Sequence, residues 1–319
     1  MRRALVCMFV SAAMAWAEVK TQRRAFMGWD GAIVMSNGTV ELVVVPQLAA
    51  RVFSYKLAGG DELIYTVPDA IRKQLEPGPW PRPLQWHLGG DKVWPMVKDE
   101  FPPDPYIDGA QFEAKIDKDD TVTLTGPLSP KYQVRSWRRI ALDPTGSRVT
   151  IDNRFRCEGS YAKPMATWTV TQIRTPDFVL ADIAQDAPMR DVTRLSQDEP
   201  RVLWKDVSPG VIRYDAALAV TDDKPNKIGV YGRWLAALKG DVALVQTAEL
   251  DPKQTYQDGA NIEFYACPRY YEVEVLGPSI KPQPGREIGH RVIWQILPVD
   301  RRRSDQEIAA EIAKRAATP

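Results

Sequence analysis

Residues 32–45 read AIVMSNGTVELVVV, two apolar and β-branched runs joined by Asn37-Gly38. An Asn-Gly pair supplies both positive φ angles of a type I′ turn, so the segment predicts a hairpin of two antiparallel strands, Ala32 to Met35 and Val40 to Val45. Asn37-Gly38-Thr39 also matches a glycosylation sequon, but the turn accounts for it. The same pattern continues outward. Arg51 to Leu57 and Glu62 to Thr66 predict a second hairpin about Gly59-Gly60. Further β-rich runs follow at Thr121 to Thr125, Tyr132 to Leu142, Arg148 to Arg156, Ala166 to Ile173, Lys227 to Tyr231, Val242 to Glu249, Asn261 to Tyr265, Tyr271 to Leu276 and Arg291 to Leu297. Turn residues separate them throughout. Helix signal is nearly confined to the C-terminus, where Ser304 and Glu307 form a capping box and Ile308 and Ile312 share a face. With no low-complexity linker and no clean repeat, the chain predicts one large antiparallel β-sandwich over 18–298 and a helical tail over 299–319.

One segment interrupts this pattern. Residues 76–106, EPGPWPRPLQWHLGGDKVWPMVKDEFPPDPY, combine Trp80, Trp86, Trp94, Phe101 and Tyr106 with prolines that lack a donor N–H and fix their own φ. The expectation is a long loop without regular helix or central strand. A loop so rich in rings has two readings: flat, half-apolar platforms on which a sugar stacks, or caps on one end of the core. Trp80, framed by prolines, is the expected exposed ring, and Trp94, between Val93 and Pro95, the expected buried one. His87 precedes Gly89-Gly90, where the backbone bends freely and a ligand can approach closely. Asp91 and Lys92 follow as candidate partners for ligand hydroxyls.

The first seventeen residues, MRRALVCMFVSAAMAWA, carry a basic start, a short apolar run and small residues at Ala15 and Ala17. They read as a secretory signal peptide and predict a periplasmic or secreted protein. The apolar run is shorter than the roughly 20 residues a membrane span needs, so no membrane span is expected. Lys and Arg number 42 against 41 acidic residues. That balance gives no broad pull toward nucleic acid and favours a neutral or mildly charged small ligand. Oligomeric state is not legible. The signal removes Cys7, leaving Cys157 and Cys267, whose apolar, strand-like surroundings favour two separate buried thiols over a bridge. No CxxC or Cys/His cluster suggests zinc, and prolines stiffen the backbone between Asp99, Glu100, Asp104 and Asp108, so neither a bound metal nor a cofactor is expected.

Several motifs have simpler accounts. Gly59-Gly60-Asp61-Glu62-Leu63 looks like a diguanylate cyclase signature, yet a Gly-Gly hairpin with two solvent carboxylates explains it in a β-rich exported chain. A serine or cysteine triad requires a histidine base, and only His87 and His290 exist. His290, inside HRVIWQI, reads as a strand-edge residue with a structural or surface role. In NIEFYACPRYYEVEVLGP, residues 261–278, Glu272 and Glu274 share one strand face while Val273 and Val275 share the other. That alternation favours a solvent face for the pair. Glu263, flanked by Ile262 and Phe264, is the stronger candidate for chemistry.

Three segments carry a resemblance to a known family. NGTVELVVVPQLAARVFSYKLAGGDELIY has a strand ending in Pro46 and another after Ala50-Arg51. WHLGGDKVWP places a histidine before two glycines and a tryptophan. QDGANIEFYACPRYYEVEVLGPSIKPQPGREIGHRVIWQI sets a glutamate before a proline-glycine turn and a last strand. In this order they resemble the galactose-mutarotase-like, or aldose 1-epimerase-like, proteins, especially uncharacterised secreted bacterial members. The resemblance implies a β-supersandwich and a sugar or glycan ligand. It assigns Glu263 as general base on the anomeric hydroxyl, His87 as a substrate-binding histidine and Arg51 as a sugar-binding arginine; on the binding reading of the aromatic segment, Trp80, Trp86 and Trp94 stack on sugar faces. The family's second histidine, the acid for the ring oxygen, has no counterpart: ATWTVTQIRTPD carries Trp168 in that region. An extra residue, Leu88, also separates His87 from the glycines. The expected function is therefore carbohydrate binding or processing without standard mutarotase chemistry, with an active epimerase using Glu263 as the alternative.

Overall fold

The computed structural model describes residues 18–78, 80–82, 86–101, 104–196, 202–215, 218 and 224–317. Residues 1–17, expected to form a signal peptide, lie outside the described residues. Two ten-stranded sheets face each other. In order across the first run β1 (Lys20–Phe26), β2 (Trp29–Ser36), β3 (Val40–Val45), β4 (Arg51–Leu57), β5 (Asp91–Met96), β10 (Ala166–Ile173), β19 (Tyr271–Leu276), β18 (Ile262–Ala266), β15 (Asn226–Val230) and β12 (Thr193–Arg194). The second runs β13 (Trp204–Ser208), β14 (Val211–Tyr214), β11 (Phe178–Asp182), β16 (Trp234–Lys239), β17 (Val242–Ala248), β20 (Glu287–Pro298), β9 (Val149–Cys157), β8 (Val134–Leu142), β7 (Val122–Leu128) and β6 (Glu113–Ile116). Neighbouring strands are antiparallel throughout, as the hairpin signals predict.

The core lies between the sheets. Tyr55 and Trp294 meet across it with ring centroids 5.6 Å apart, and Tyr214 and Phe264 at 4.7 Å. After two short helices, α1 (Pro68–Lys73) and α2 (Pro105–Asp108), the C-terminal helix α3 (Asp305–Ala316) starts at the expected capping box of Ser304 and Glu307. Its buried Ile308, Ala309 and Ile312 pack on Phe178, Leu180 and Trp234, on the outer side of the second sheet. Among the described residues no helix is long and apolar enough to cross a membrane.

Polar ties also cross the core. The buried Arg138 of β8 pairs with Asp91 of β5, and donates to Asn153 Oδ1 and to the Ala50 carbonyl, each at 2.9 Å. The other oxygen of Asp91 accepts from Thr171 at 2.8 Å, whose hydroxyl accepts from Gln246 of β17 at 2.9 Å. His290 corrects its expectation: it is not on a strand edge but inside the sandwich, where burial pushes its pKa down to about 3. Its Nδ1 lies 2.6 Å from Thr167 Oγ1. Cys157 and Cys267 are buried free thiols.

Other local expectations fail for identifiable reasons. Glu62 to Thr66 is not a strand. The Glu62 carboxylate turns inward to accept from the Tyr55, Leu63 and Ile64 amides and from Ser54, leaving only single bridges at Ile64↔Ile173 and Thr66↔Gly89. Nor is 76–106 wholly loop. Gly89 and Gly90, both at positive φ, lead the chain into β5, and a Cβ on Gly89 would stand 2.1 Å from the Tyr65 carbonyl. Beyond Asp91, which pairs with Val52, β5 has no ladder to β4, so Pro95 is tolerated in the interior of the sheet. The short helix α2 (Pro105–Asp108) begins on a proline, where the missing N–H costs nothing, and Asp104 caps it by accepting from the Tyr106 amide at 2.9 Å.

Removing one member of a buried ion pair strands the other charge. Asp91→Ala is expected to cost about 3–5 kcal/mol in urea unfolding, and adding Arg138→Met should restore most of that loss. Equal stability of Asp91→Ala and the unsubstituted protein would refute the role given to this pair.

Candidate functional site

Alternate residues of five neighbouring strands build one face of the first sheet. Registers place Trp168 opposite Trp94, Val170 opposite both Lys92 and Glu274, Gln172 opposite Glu272, Tyr265 opposite Glu272, Glu263 opposite Glu274 and Lys227 opposite Tyr265. Side chains alternate along each strand, so this set points away from the core while Val93, Val273, Val275 and Phe264 point into it. Over that face lies a pocket of about 230 Å³ walled by Trp94, Phe101, Trp168, Lys227, Tyr265, Tyr270, Glu272 and Glu274. Trp94 and Trp168 meet edge to face at 5.5 Å, and Phe101 closes on Trp94 at 6.2 Å.

Lys227 organises the charges. Its Nζ lies 2.6 Å from Glu263 and 3.0 Å from Glu274, and 4.8 Å from the centre of the Trp168 ring. Gly229 stands opposite Glu263, and a Cβ there would sit 2.6 Å from the Ala260 Cβ, so the close approach of these two segments requires the glycine. The Trp168 indole donates to Glu274 at 2.6 Å. Glu272 accepts from Gln172 at 2.8 Å and faces Lys92 at 3.6 Å, whose ammonium lies 4.5 Å from the Trp94 ring centre. The Trp94 indole donates to Asp108 at 2.7 Å, and Asp108 pairs with Arg51 at 2.6 Å.

Burial sets the protonation. It raises Glu263, Glu272 and Glu274 above the usual carboxylate range. Glu274 rises to about 7, because desolvation and the neighbouring Glu263 outweigh the attraction of Lys227. Burial works against the charge of Lys227, yet the two glutamates dominate and hold its ammonium above the ordinary value. Lys92 goes the other way, lowered by burial that Glu272 only partly offsets. Near neutral pH Glu274 therefore exists in both forms and can donate or accept a proton, with Glu272 two residues along the same face.

The residues named from sequence divide. Trp94 and Lys92 belong to the site, Trp94 in its wall and Lys92 beneath. Glu263 is buried under Lys227 and is not part of the wall. Arg51 is fully buried, acts through Asp108 on Trp94, and also donates to the Gly89 carbonyl at 3.0 Å. Asp91 points to the opposite side, into the core. His87 is exposed in a single turn, Trp86–Leu88, where partial burial and then Arg51 and Arg269 lower its pKa. Trp80 is 58 % exposed and stands edge-on to Tyr106 at 5.8 Å. The Trp86 side chain lies outside the described residues. Glu272 and Glu274 overturn the solvent-face expectation, being only 8 % and 1 % exposed. Three of the four carboxylates of 99–108 are engaged separately: Asp104 caps α2, Asp108 holds Arg51, and Glu100 binds Lys131, Lys163 and Tyr161. Among the described residues no three metal-ligating side chains converge.

Sequence reading passed over Trp168, Lys227, Tyr265 and Tyr270. The available signal for Trp168, Lys227 and Tyr265 was parity, since each alternates along its strand with inward-facing side chains; Tyr270 lies just before β19 and had no such signal.

Solved structures share this architecture. A galactose mutarotase-like protein from Lactobacillus casei superposes with a TM-score of 0.57 at 10% identity, over 84% of this chain and 100% of its own. The fold is galactose mutarotase-like. A galactose 1-epimerase from Lactobacillus acidophilus gives a TM-score of 0.54 at 13% identity, over 89% of this chain and 100% of its own. A TPR-domain containing protein from Parabacteroides distasonis gives 0.57 at 13% identity over 87% of this chain, which spans 50% of that protein's length. At such identities the likeness extends to the mutarotase-like fold alone. No protein-family model and no curated protein matches the sequence.

Glu274 also predicts a pH effect. Its folded pKa of about 7 exceeds its ordinary value of 4.5, so the native state holds a proton that the unfolded chain has released between those values. This contribution is complete below about pH 4.5 and is lost as pH rises through about 7. Unfolding free energies measured across that window should fall with pH, and Glu274→Gln should flatten the slope; an unchanged slope would contradict the assignment.

Proposed function

We propose that this protein binds a sugar or glycan in the pocket between Trp94, Trp168 and the Glu272–Glu274 strand. The observation that carries the reading is the arrangement of that pocket: indole and phenol rings stand beside carboxylates whose hydrogen-bond partners are already fixed. Sugar rings present apolar C–H faces to such rings and hydroxyl edges to such acceptors. The mutarotase-like fold supports the same ligand class. Export to the periplasm or beyond belongs to the reading through the pattern of residues 1–17, and the near-neutral charge of the chain favours an uncharged small ligand over nucleic acid.

A second reading, an anomer-interconverting enzyme, is favoured by one observation: Glu272 and Glu274 both face the pocket, and Glu274 can hold or release a proton near neutrality. Opening a hemiacetal needs a base to take the proton of the anomeric hydroxyl and an acid to protonate the ring oxygen as the ring C–O bond breaks. Glu274 and Glu272 would divide those roles in the place where the family resemblance puts Glu263 and a histidine.

Titration of intrinsic tryptophan fluorescence with galactose, glucose and mannose tests the binding reading. At least one should saturate, and Trp168→Ala should weaken it by about tenfold, the worth of one aromatic contact. Polarimetry of freshly dissolved sugar separates the readings: acceleration that disappears in Glu274→Gln makes the protein an enzyme, whereas saturable binding with no acceleration leaves it a binding protein.

A further inference from the structure

A second hollow lies farther along the strands that form the pocket. It encloses about 450 Å³, and its wall includes Lys98, Asp99, Lys163, Gln257, Asp258 and Ser279. Chain direction shows how the two are related. Lys98 lies four residues beyond Trp94 on the way out of β5. Pro164, in the same wall, lies four residues before Trp168 on the way into β10, which is antiparallel to β5. Ser279 follows Glu274 out of β19, and Gln257 and Asp258 precede Glu263 into antiparallel β18. All four strands therefore leave the pocket in one direction and arrive at the hollow together. The bridge Met165↔Ile280 and the bond from the Gly277 amide to the Thr167 carbonyl, 2.8 Å, keep β10 and β19 side by side over that stretch. Four residues of extended chain cover about 13 Å.

The wall is chemically suited to hydroxyl groups. Gln257 Nε2 is held by the Pro164 carbonyl at 3.4 Å and by Ser279 Oγ at 3.3 Å, which fixes an amide and a hydroxyl side by side. Lys163 is anchored to Glu100 at 3.2 Å and to the Lys98 carbonyl at 3.2 Å. Two lysines face two aspartates, so the hollow as a whole prefers no ionic charge. Phe101, 63 % exposed, belongs to the same β5-to-α2 connection as Lys98 and Asp99, and its ring stands in the wall of the first pocket.

Resting on the sugar-binding reading, we propose that the hollow is a second subsite, and that the ligand is a neutral oligosaccharide. One end unit sits against Trp94 and Trp168, and the following units run along β5 and β10 into the hollow. The spacing exceeds one hexose ring and suits a di- to trisaccharide.

Calorimetric titration of the full chain with galactose, glucose and mannose, each beside its linear homotrisaccharide, tests this. The expected result is a trisaccharide that binds about tenfold or more tightly than its own monosaccharide. The double variant Lys98→Ala/Gln257→Ala should lose that advantage while its monosaccharide affinity, the evidence of a folded pocket, stays unchanged. Equal affinity for both lengths, or an advantage untouched by the double variant, overturns the second subsite and leaves the sugar-binding reading standing. No saturable binding of any length overturns both.

Discussion

The ionic tie between Asp91 and Arg138 fixes the strand on which the site depends. β5 carries a proline and touches β4 at a single residue pair, so within the sheet it is held by its ladder to β10 alone. Anchoring Asp91 to the opposite sheet, with Thr171 as a second partner, settles which parity of β5 faces the core. Asp91 and Val93 then point inward, and Lys92 and Trp94 are left to face the pocket. A one-residue slip would exchange the two sets and bury the lysine among apolar side chains.

A second constraint operates on that outer face. Three glutamates and two lysines sit largely out of water, which is affordable only because each charge has a partner of opposite sign within reach. Lys227 is shared by two glutamates, so the group carries one negative charge too many for a buried site, and protonation of a carboxyl relieves it. The elevated pKa of Glu274 follows from this stoichiometry and from its depth. It need not have been selected for catalysis; the same arrangement serves to present a neutral hydrogen-bond donor to a ligand.

Trp168 is where this molecule departs from the pattern its fold resembles. On β10, where the resemblance leads one to seek a histidine, an indole packs on Trp94 and donates to Glu274. An indole N–H donates and does not exchange its proton near neutral pH, so it contributes orientation and surface rather than acid chemistry. Whatever proton transfer the site performs falls to the glutamates, while the pair of rings adds a stacking surface.

Local chemistry made much of the fold readable. The hairpin about Asn37-Gly38, the alternating runs from Thr121 to Leu297 and the Ser304 capping box each specify structure within a few residues, and the structure contains each of them, although the turn is not type I′: only Gly38 takes a positive φ, and the Asn37 side chain accepts from the Thr39 and Val40 amides instead. The exposure of Trp80 and the burial of Trp94 were legible for the same reason, since neighbouring prolines and valine constrain those rings directly. The site was less legible. Alternation in YEVEVL showed that Glu272 and Glu274 share a face but not which face, because a solvated strand and a strand over a ligand pocket have the same period. Lys227 lies far from Glu263 and Glu274 in sequence, and its partnership depends on β15, β18 and β19 being adjacent. Likewise Glu62, read as a solvent carboxylate, became a half-buried acceptor once Ser54 and Tyr55 came beside it. The sequence by itself determined many of the strands and the terminal helix, because these follow from contacts between near neighbours; only the tertiary structure decided that β5 is a strand, which carboxylates are buried and what they pair with, because burial and charge pairing depend on residues that folding alone brings together.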